Sequence, residues 1–254
     1  MVIEVDLQIA ADSKRIWYPK ELQQHDILTE LYHDASSDTA DVVFKVGEKE
    51  YHAHKSILSR RAKALFELCK EHEGEGPIPI PGVEEETFQK ILEFVYTVKT
   101  PQIEDDEATA TEMLVVADRF DCTHLKLFVE STITDKILTA SNAATLFVLA
   151  DSHSSALLKE AAMNLYASNP SAVKENFKGW SRVEESKRLL KELLEWVTFK
   201  FISSNNSTAD KTAQNTDIDH LDVTSLREKL EEAKLEPDGS REILVERLKK
   251  HKEN

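Results

Sequence analysis

Two cysteines, six glycines and seven prolines are few for 254 residues. Two thiols cannot build a disulfide framework. Cys69 and Cys122 both fall inside apolar helical patterns, which points to a reducing compartment. So little glycine and proline argues against a loop-rich all-β fold. No apolar run approaches the roughly 18 residues of a membrane helix, and no charged-then-apolar leader opens the chain. The expectation is a soluble intracellular protein of the nucleus and/or cytoplasm with no membrane partner. Positive charge is also short: 32 basic residues against 47 acidic ones leave −15. That balance opposes general binding to nucleic acid or anionic membrane, because phosphate contact needs a cationic face. A local basic face is left open.

What the chain does have is apolar patterning. At 41% hydrophobic residues it can bury real cores, and its length fits two domains with room for a small third. Asp41-Val42-Val43-Phe44-Lys45-Val46, a tight turn over 47–50 and the alternation Tyr51-His52-Ala53-His54 read as a hairpin. Ser56 stands where it can cap a helix through Ile57, Leu58, Ala62, Leu65, Phe66 and Cys69. Beyond the breakers of 73–77, Ile78-Pro79-Ile80-Pro81 is an edge strand at best, since proline cannot donate to a ladder. Residues 83–88 open a helix with acids in its first turn, buried through Phe88, Ile91, Leu92, Val95 and Tyr96. Amphipathic helices follow over 107–120 and 123–137, and the pattern stays helical from Thr139 to a last long helix at 189–201. Upstream, 2–9 alternates as one strand, and Pro19-Lys20-Glu21 starts a helix carrying Leu22, Ile27, Leu28 and Leu31. Residues 203–220, rich in Ser, Asn, Thr, Asp and Gln, read as a flexible linker.

The strand–strand–helix opening, with His52-Ala53-His54-Lys55-Ser56-Ile57-Leu58-Ser59-Arg60-Arg61 and the later runs Phe94-Val95-Tyr96-Thr97 and Ala117-Asp118-Arg119-Phe120, resembles the BTB/POZ domain. The resemblance implies an α+β fold, a small sheet capped by helices, over 21–138. It also implies a homodimer face on the first helix and the Ile57 helix, drawing on Ile27, Leu28, Leu31, Asp41, Lys55 and Ile57. Asn142 to His153 and Ala156 to Ala162 look like the start of a BACK domain, an all-α extension assigned to 139–202. The likeness is nearest to MATH–BTB adaptors, and the strand at 2–9, within an arm over 1–20, resembles the last strand of a MATH domain. An arm packing on the BTB core or on a dimer mate fits that strand equally well.

Adaptors of this kind present a protein substrate to a cullin-RING ubiquitin ligase of the cullin-3 type. The implied cullin contacts are Leu65, Phe66, Lys70, Glu71 and His72, where the family carries an apolar residue, any residue and then glutamate. Lys70-Glu71-His72 departs from that pattern at both anchors. At the C-terminus, 221–254 resembles the SAP motif: a leucine helix, the turn Leu235-Glu236-Pro237-Asp238-Gly239-Ser240, and a second helix. Asp222 or Thr224 would cap the first helix. Leu226, Leu230, Leu235, Ile243, Leu244 and Leu248 would form a core of its own, and Lys234 stands where a glycine is usual. By that resemblance Arg241, Arg247, Lys249, Lys250 and Lys252 face DNA. Glu242 and Glu246 sit among them, so DNA binding is expected to be weak and protein docking is an equal alternative.

Catalysis and metal binding find no pattern. His52, His54, His72, Cys69 and Cys122 make no Cys-x-x-Cys or His-x-x-x-His pair. Nothing pairs a nucleophile with a base or forms a glycine-rich phosphate loop. No enzyme, cofactor or metal is expected. Two functions from different classes remain: a homodimeric ubiquitin-ligase adaptor, and a nuclear scaffold or transcriptional regulator that dimerises SAP-like modules on chromatin.

Overall fold

A computed structural model describes residues 26–33, 39–72, 74, 76–103, 106–205 and 218–253. The strand expected at 2–9 and the first turns of the helix expected from Pro19 lie outside those residues. So does most of the linker.

Strands β1 (Val42–Val46) and β2 (Lys49–Ala53) pair antiparallel, with Val46 opposite Lys49 across the two-residue turn Gly47-Glu48. The turn is shorter than expected, because Gly47 takes a left-handed φ of 58° and reverses the chain at once. A Cβ there would stand 2.5 Å from Glu85 Oε1, the atom that accepts the Glu48 N–H at 3.1 Å. Strand β3 (Ile78–Pro79) adds parallel to β1 at the sheet's edge, in the order β2-β1-β3, so its prolines interrupt no ladder.

Helix α1 (Asp26–His33) precedes the sheet. The helix expected from Ser56 through Cys69 is two: α2 (Lys55–Arg61) and α3 (Lys63–Glu71), divided at Ala62 where φ is −148°. Ser56 is not the cap. Asp41 Oδ1 takes the Lys55 N–H at 2.7 Å instead, tying the helix start to the strand. Helix α4 (Glu85–Thr97) buries the whole expected stripe from Phe88 to Tyr96, and α5 (Glu107–Arg119) and α6 (Thr123–Thr132) close the layer. Phe88 anchors the core, its ring edge-on to Tyr51, Phe44 and Phe120 at 5.1, 5.8 and 5.9 Å. His54 is buried, its backbone N–H donating to the Tyr96 hydroxyl at 2.8 Å and its ring Nδ1 lying 2.7 Å from the same oxygen.

A wide turn of π-helix (Ile133–Ile137) leads into five further helices: α7 (Ala143–Ser152), α8 (Ala156–Ser168), α9 (Pro170–Lys174), α10 (Phe177–Glu185) and α11 (Lys187–Asn205). They share a second core around Ala143, Phe147, Met163, Trp180 and Leu193. Helix α11 runs to Asn205, past the expected start of the linker, and Ile218–His220 is a 3₁₀ turn with Ile218 buried. Helices α12 (Val223–Glu232) and α13 (Arg241–Glu253) complete the chain, with Asp222 capping α12 through the Ser225 N–H at 2.7 Å.

The two helices of the C-terminal hairpin pack on each other, and their core also takes in residues of α8. Ile218, Leu221, Val223, Leu226, Leu230, Leu244 and Leu248 bury their side chains together with Ala156 and Leu157 of α8. Ile243, expected in this core, is 44% exposed, and it packs over Gly239 instead.

Candidate interaction surfaces

Dimerisation was expected on α1 and α2. Leu28 and Leu31 are half-buried, and Leu31 and Ile57 pack against the main core, each keeping an edge at the surface. The side chain of Ile27 lies outside the described residues. Asp41 and Lys55 meet through the carboxylate-to-amide bond of the α2 cap, so the contact shown is backbone rather than an exposed ion pair.

The expected cullin contacts divide. Leu65 is only 1% exposed and belongs to the core, out of reach of any partner. Phe66 is half-buried, with the Lys70 ammonium 4.4 Å from its ring centre, and Lys70 also pairs with Glu67 at 2.7 Å. Glu71 is exposed, and His72 Nε2 lies 3.0 Å from the Gly76 carbonyl. Phe66 and Lys70 therefore share one surface, in which Lys70 covers the aromatic ring, while Glu71 and His72 follow at the end of α3.

Burial pushes the Cys69 thiol up to about 11 and the Cys122 thiol up to about 12, so neither is a thiolate near neutral pH. No group of three His, Cys, Asp or Glu side chains is placed to hold a metal among the described residues. Nor is any described helix long and apolar enough to cross a membrane.

The densest polar chemistry lies at the junction of the C-terminal hairpin with α6 and α8, and sequence reasoning missed it. Glu130 and Arg227, both wholly buried, meet at 2.6 Å between Oε2 and Nη2. The other Glu130 oxygen accepts the Leu157 and Leu158 N–H groups at 2.7 and 3.1 Å, capping α8. Lys126, 4% exposed, bridges Asp118 at 2.8 Å and Asp238 at 3.1 Å. Desolvation works against its charge, yet the two carboxylates hold its pKa above the ordinary value, so it stays cationic. Glu160 accepts the Val223 N–H at 3.1 Å and faces Arg241 at 3.7 Å; burial raises its pKa more than those partners lower it.

The hairpin's basic residues are largely occupied. Arg241 donates to the Asp219 carbonyl at 2.8 Å, Lys249 pairs with the Asp219 carboxylate at 2.6 Å, and Lys250 pairs with Glu246 at 2.7 Å. Arg247 donates to the Glu236 carbonyl and, at 3.0 Å, to that of Asp238; Arg227 Nε takes the Pro237 carbonyl between them at 3.1 Å. Two arginines thus hold three successive carbonyls of the turn. Lys234, at the position where glycine was expected, adopts a left-handed φ of 57°. Lys252 is exposed in the last turn of α13.

The BTB/POZ domain model matches residues 31–137, and those residues are a BTB/POZ domain. TD and POZ domain-containing protein 5 of Mus musculus is 31% identical over 175 residues, which are 68% of this chain and 50% of that protein. BTB/POZ and MATH domain-containing protein 3 of Arabidopsis thaliana is 29% identical over 203 residues, 74% of this chain and 49% of that protein. The chain spans about half the length of the curated relatives it matches. A BTB/POZ domain is a protein-interaction fold, and residues 31–137 supply one.

Proposed function

We propose that the chain is a homodimeric adaptor that presents a partner protein to a cullin-RING ubiquitin ligase of the cullin-3 type. The observation that carries this reading is the BTB/POZ domain itself, whose α1–α2 face keeps the edges of Leu28, Leu31 and Ile57 at the surface. Similarity to a relative named for BTB/POZ and MATH domains supports the adaptor class. In this reading 139–202 acts as a BACK-like extension and 221–254 as a SAP-like hairpin used for protein docking. The alternative, a chromatin scaffold, needs the hairpin's cations for phosphate, and Arg241, Arg247, Lys249 and Lys250 are already engaged within the chain. Cullin contact falls to Phe66, Lys70, Glu71 and His72 and is modest in strength, since Lys70 and His72 stand where an apolar and an acidic anchor would grip. Calorimetry with a cullin N-terminal domain, beside a salt-dependent duplex titration, tests this. Lys70→Met with His72→Glu should tighten cullin binding. Submicromolar DNA binding at physiological salt with no cullin heat would favour the scaffold.

A further inference from the structure

Helices α8 and α12 enclose a cleft of about 630 Å³ where the helical extension meets the C-terminal hairpin. This lies within the range of roughly 300–1,000 Å³ that suits a small ligand or a few residues of peptide. Its apolar wall is Leu138, Leu157, Ala161 and Leu165. Its acidic side is Glu160, Asp222 and Glu228, and no Lys, Arg or His lines it among the described residues. Arg241, behind Glu160 at 3.7 Å, offsets one of those charges, while Asp222 spends one oxygen on the α12 cap. Glu228 has no ion-pair partner among the described residues.

A second, independent feature lies in the same wall. Asn164 Oδ1 accepts the Trp196 Nε1–H at 3.2 Å, which leaves Nδ2 as the donor end of the amide. That nitrogen is buried with no acceptor. An amide donor buried without a partner is costly, and a slight turn of the side chain toward the cleft lets it meet an incoming carbonyl.

We infer that this cleft is a docking site for an arginine- or lysine-bearing segment of a partner protein. The aliphatic stem of such a side chain lies along Leu157 and Leu165, its cation meets Asp222 and Glu228, and a peptide carbonyl takes up the Asn164 amide. A free metal ion or small amine would use the carboxylates but neither the apolar wall nor the amide. The inference rests on the adaptor reading only in making the occupant a client of the ligase.

The test uses the full chain and fluorescein-labelled seven-residue peptide libraries with arginine, citrulline or glutamate fixed at the centre, followed by anisotropy at physiological salt. The arginine library should bind about tenfold more tightly than its citrulline twin, the scale of a charge-assisted hydrogen bond. Glu228→Gln, an isosteric change at a half-buried site, should erase that preference. Ser168→Trp, at the exposed rim, should abolish binding of both libraries. Equal binding of all three libraries, arginine binding unmoved by both variants, or competition by acetyl-arginine amide as strong as by peptide would each overturn the proposal. Both variants are also taken through the cullin titration. Loss of peptide binding with cullin binding intact fits the cleft proposal, and peptide binding without any cullin binding would fail the adaptor reading alone.

Discussion

Replacing Arg227 with methionine removes a wholly buried cation while keeping most of the side-chain volume. Glu130 then keeps the Leu157 and Leu158 amides on one oxygen and loses its charged partner on the other. Breaking a buried pair from one side costs about 3–5 kcal/mol. The Pro237 carbonyl also loses the Nε–H that it accepts at 3.1 Å, which adds about 1 kcal/mol for a partly exposed acceptor. A total of about 4–6 kcal/mol is a large share of the 5–15 kcal/mol that folds a typical domain. The loss should fall first on the hairpin, because its core is small and is completed by Ala156 and Leu157. Hydrogen exchange should therefore show 218–253 opening before α4 and α5, and urea melts should lose the cooperative unfolding of the two parts. Glu130→Gln in the same background relieves the stranded charge and should restore about 1–3 kcal/mol. A loss below about 1 kcal/mol, or unchanged protection in α12 and α13, would refute the claim that this pair fastens the hairpin.

Lys234→Gly should raise stability by about 0.5–1 kcal/mol in thermal melts. Relief of a left-handed residue is worth roughly 1–2 kcal/mol, partly offset by the greater freedom of glycine in the unfolded chain. Lys234→Ala, which keeps the Cβ, should bring no such gain. Asp151 is held below its ordinary pKa: burial opposes its charge, but hydrogen bonds from Arg188 and Lys159 outweigh that burial. With the folded value depressed, the stabilisation is present above the unfolded pKa of roughly 4 and is lost as pH falls through the folded value. Asp151→Asn should cost about 1–2 kcal/mol at pH 7 and flatten the acid limb of stability below about pH 4. An unchanged acid limb would contradict this assignment.

Much of the fold is readable locally. The α4 stripe, the β1–β2 hairpin and the edge position of β3 follow from spacing and from proline, and each relies on residues within a few positions of one another. The break at Ala62 is not readable, because neither glycine nor proline marks it. The cap of α2 is hidden for another reason: Asp41 supplies it from 14 residues away, across the hairpin. Ile243 shows the limit of helical periodicity. It lies beside the buried stripe of α13, but the rotation of that helix is set by Val223, Leu226 and the α8 residues Ala156 and Leu157. At the junction, an acid directly after Leu127-Phe128-Val129 was a signal that could have been read. Its partner Arg227, 97 residues further on, could not have been inferred from it. The cleft between α8 and α12 was equally out of reach, since it exists only once the hairpin has docked.

Sedimentation velocity of the full chain, alone and mixed with the N-terminal domain of a cullin, tests the dimeric adaptor most directly. At tens of micromolar the chain alone should sediment as a dimer and, with the cullin fragment, as a complex holding two copies of each. Leu28→Arg combined with Ile57→Arg places charge on the α1–α2 face and should reduce both species to single copies, because burying an unpaired charge in an interface costs several kcal/mol. A chain that sediments as a monomer before any substitution, and does not shift with cullin, would contradict the account.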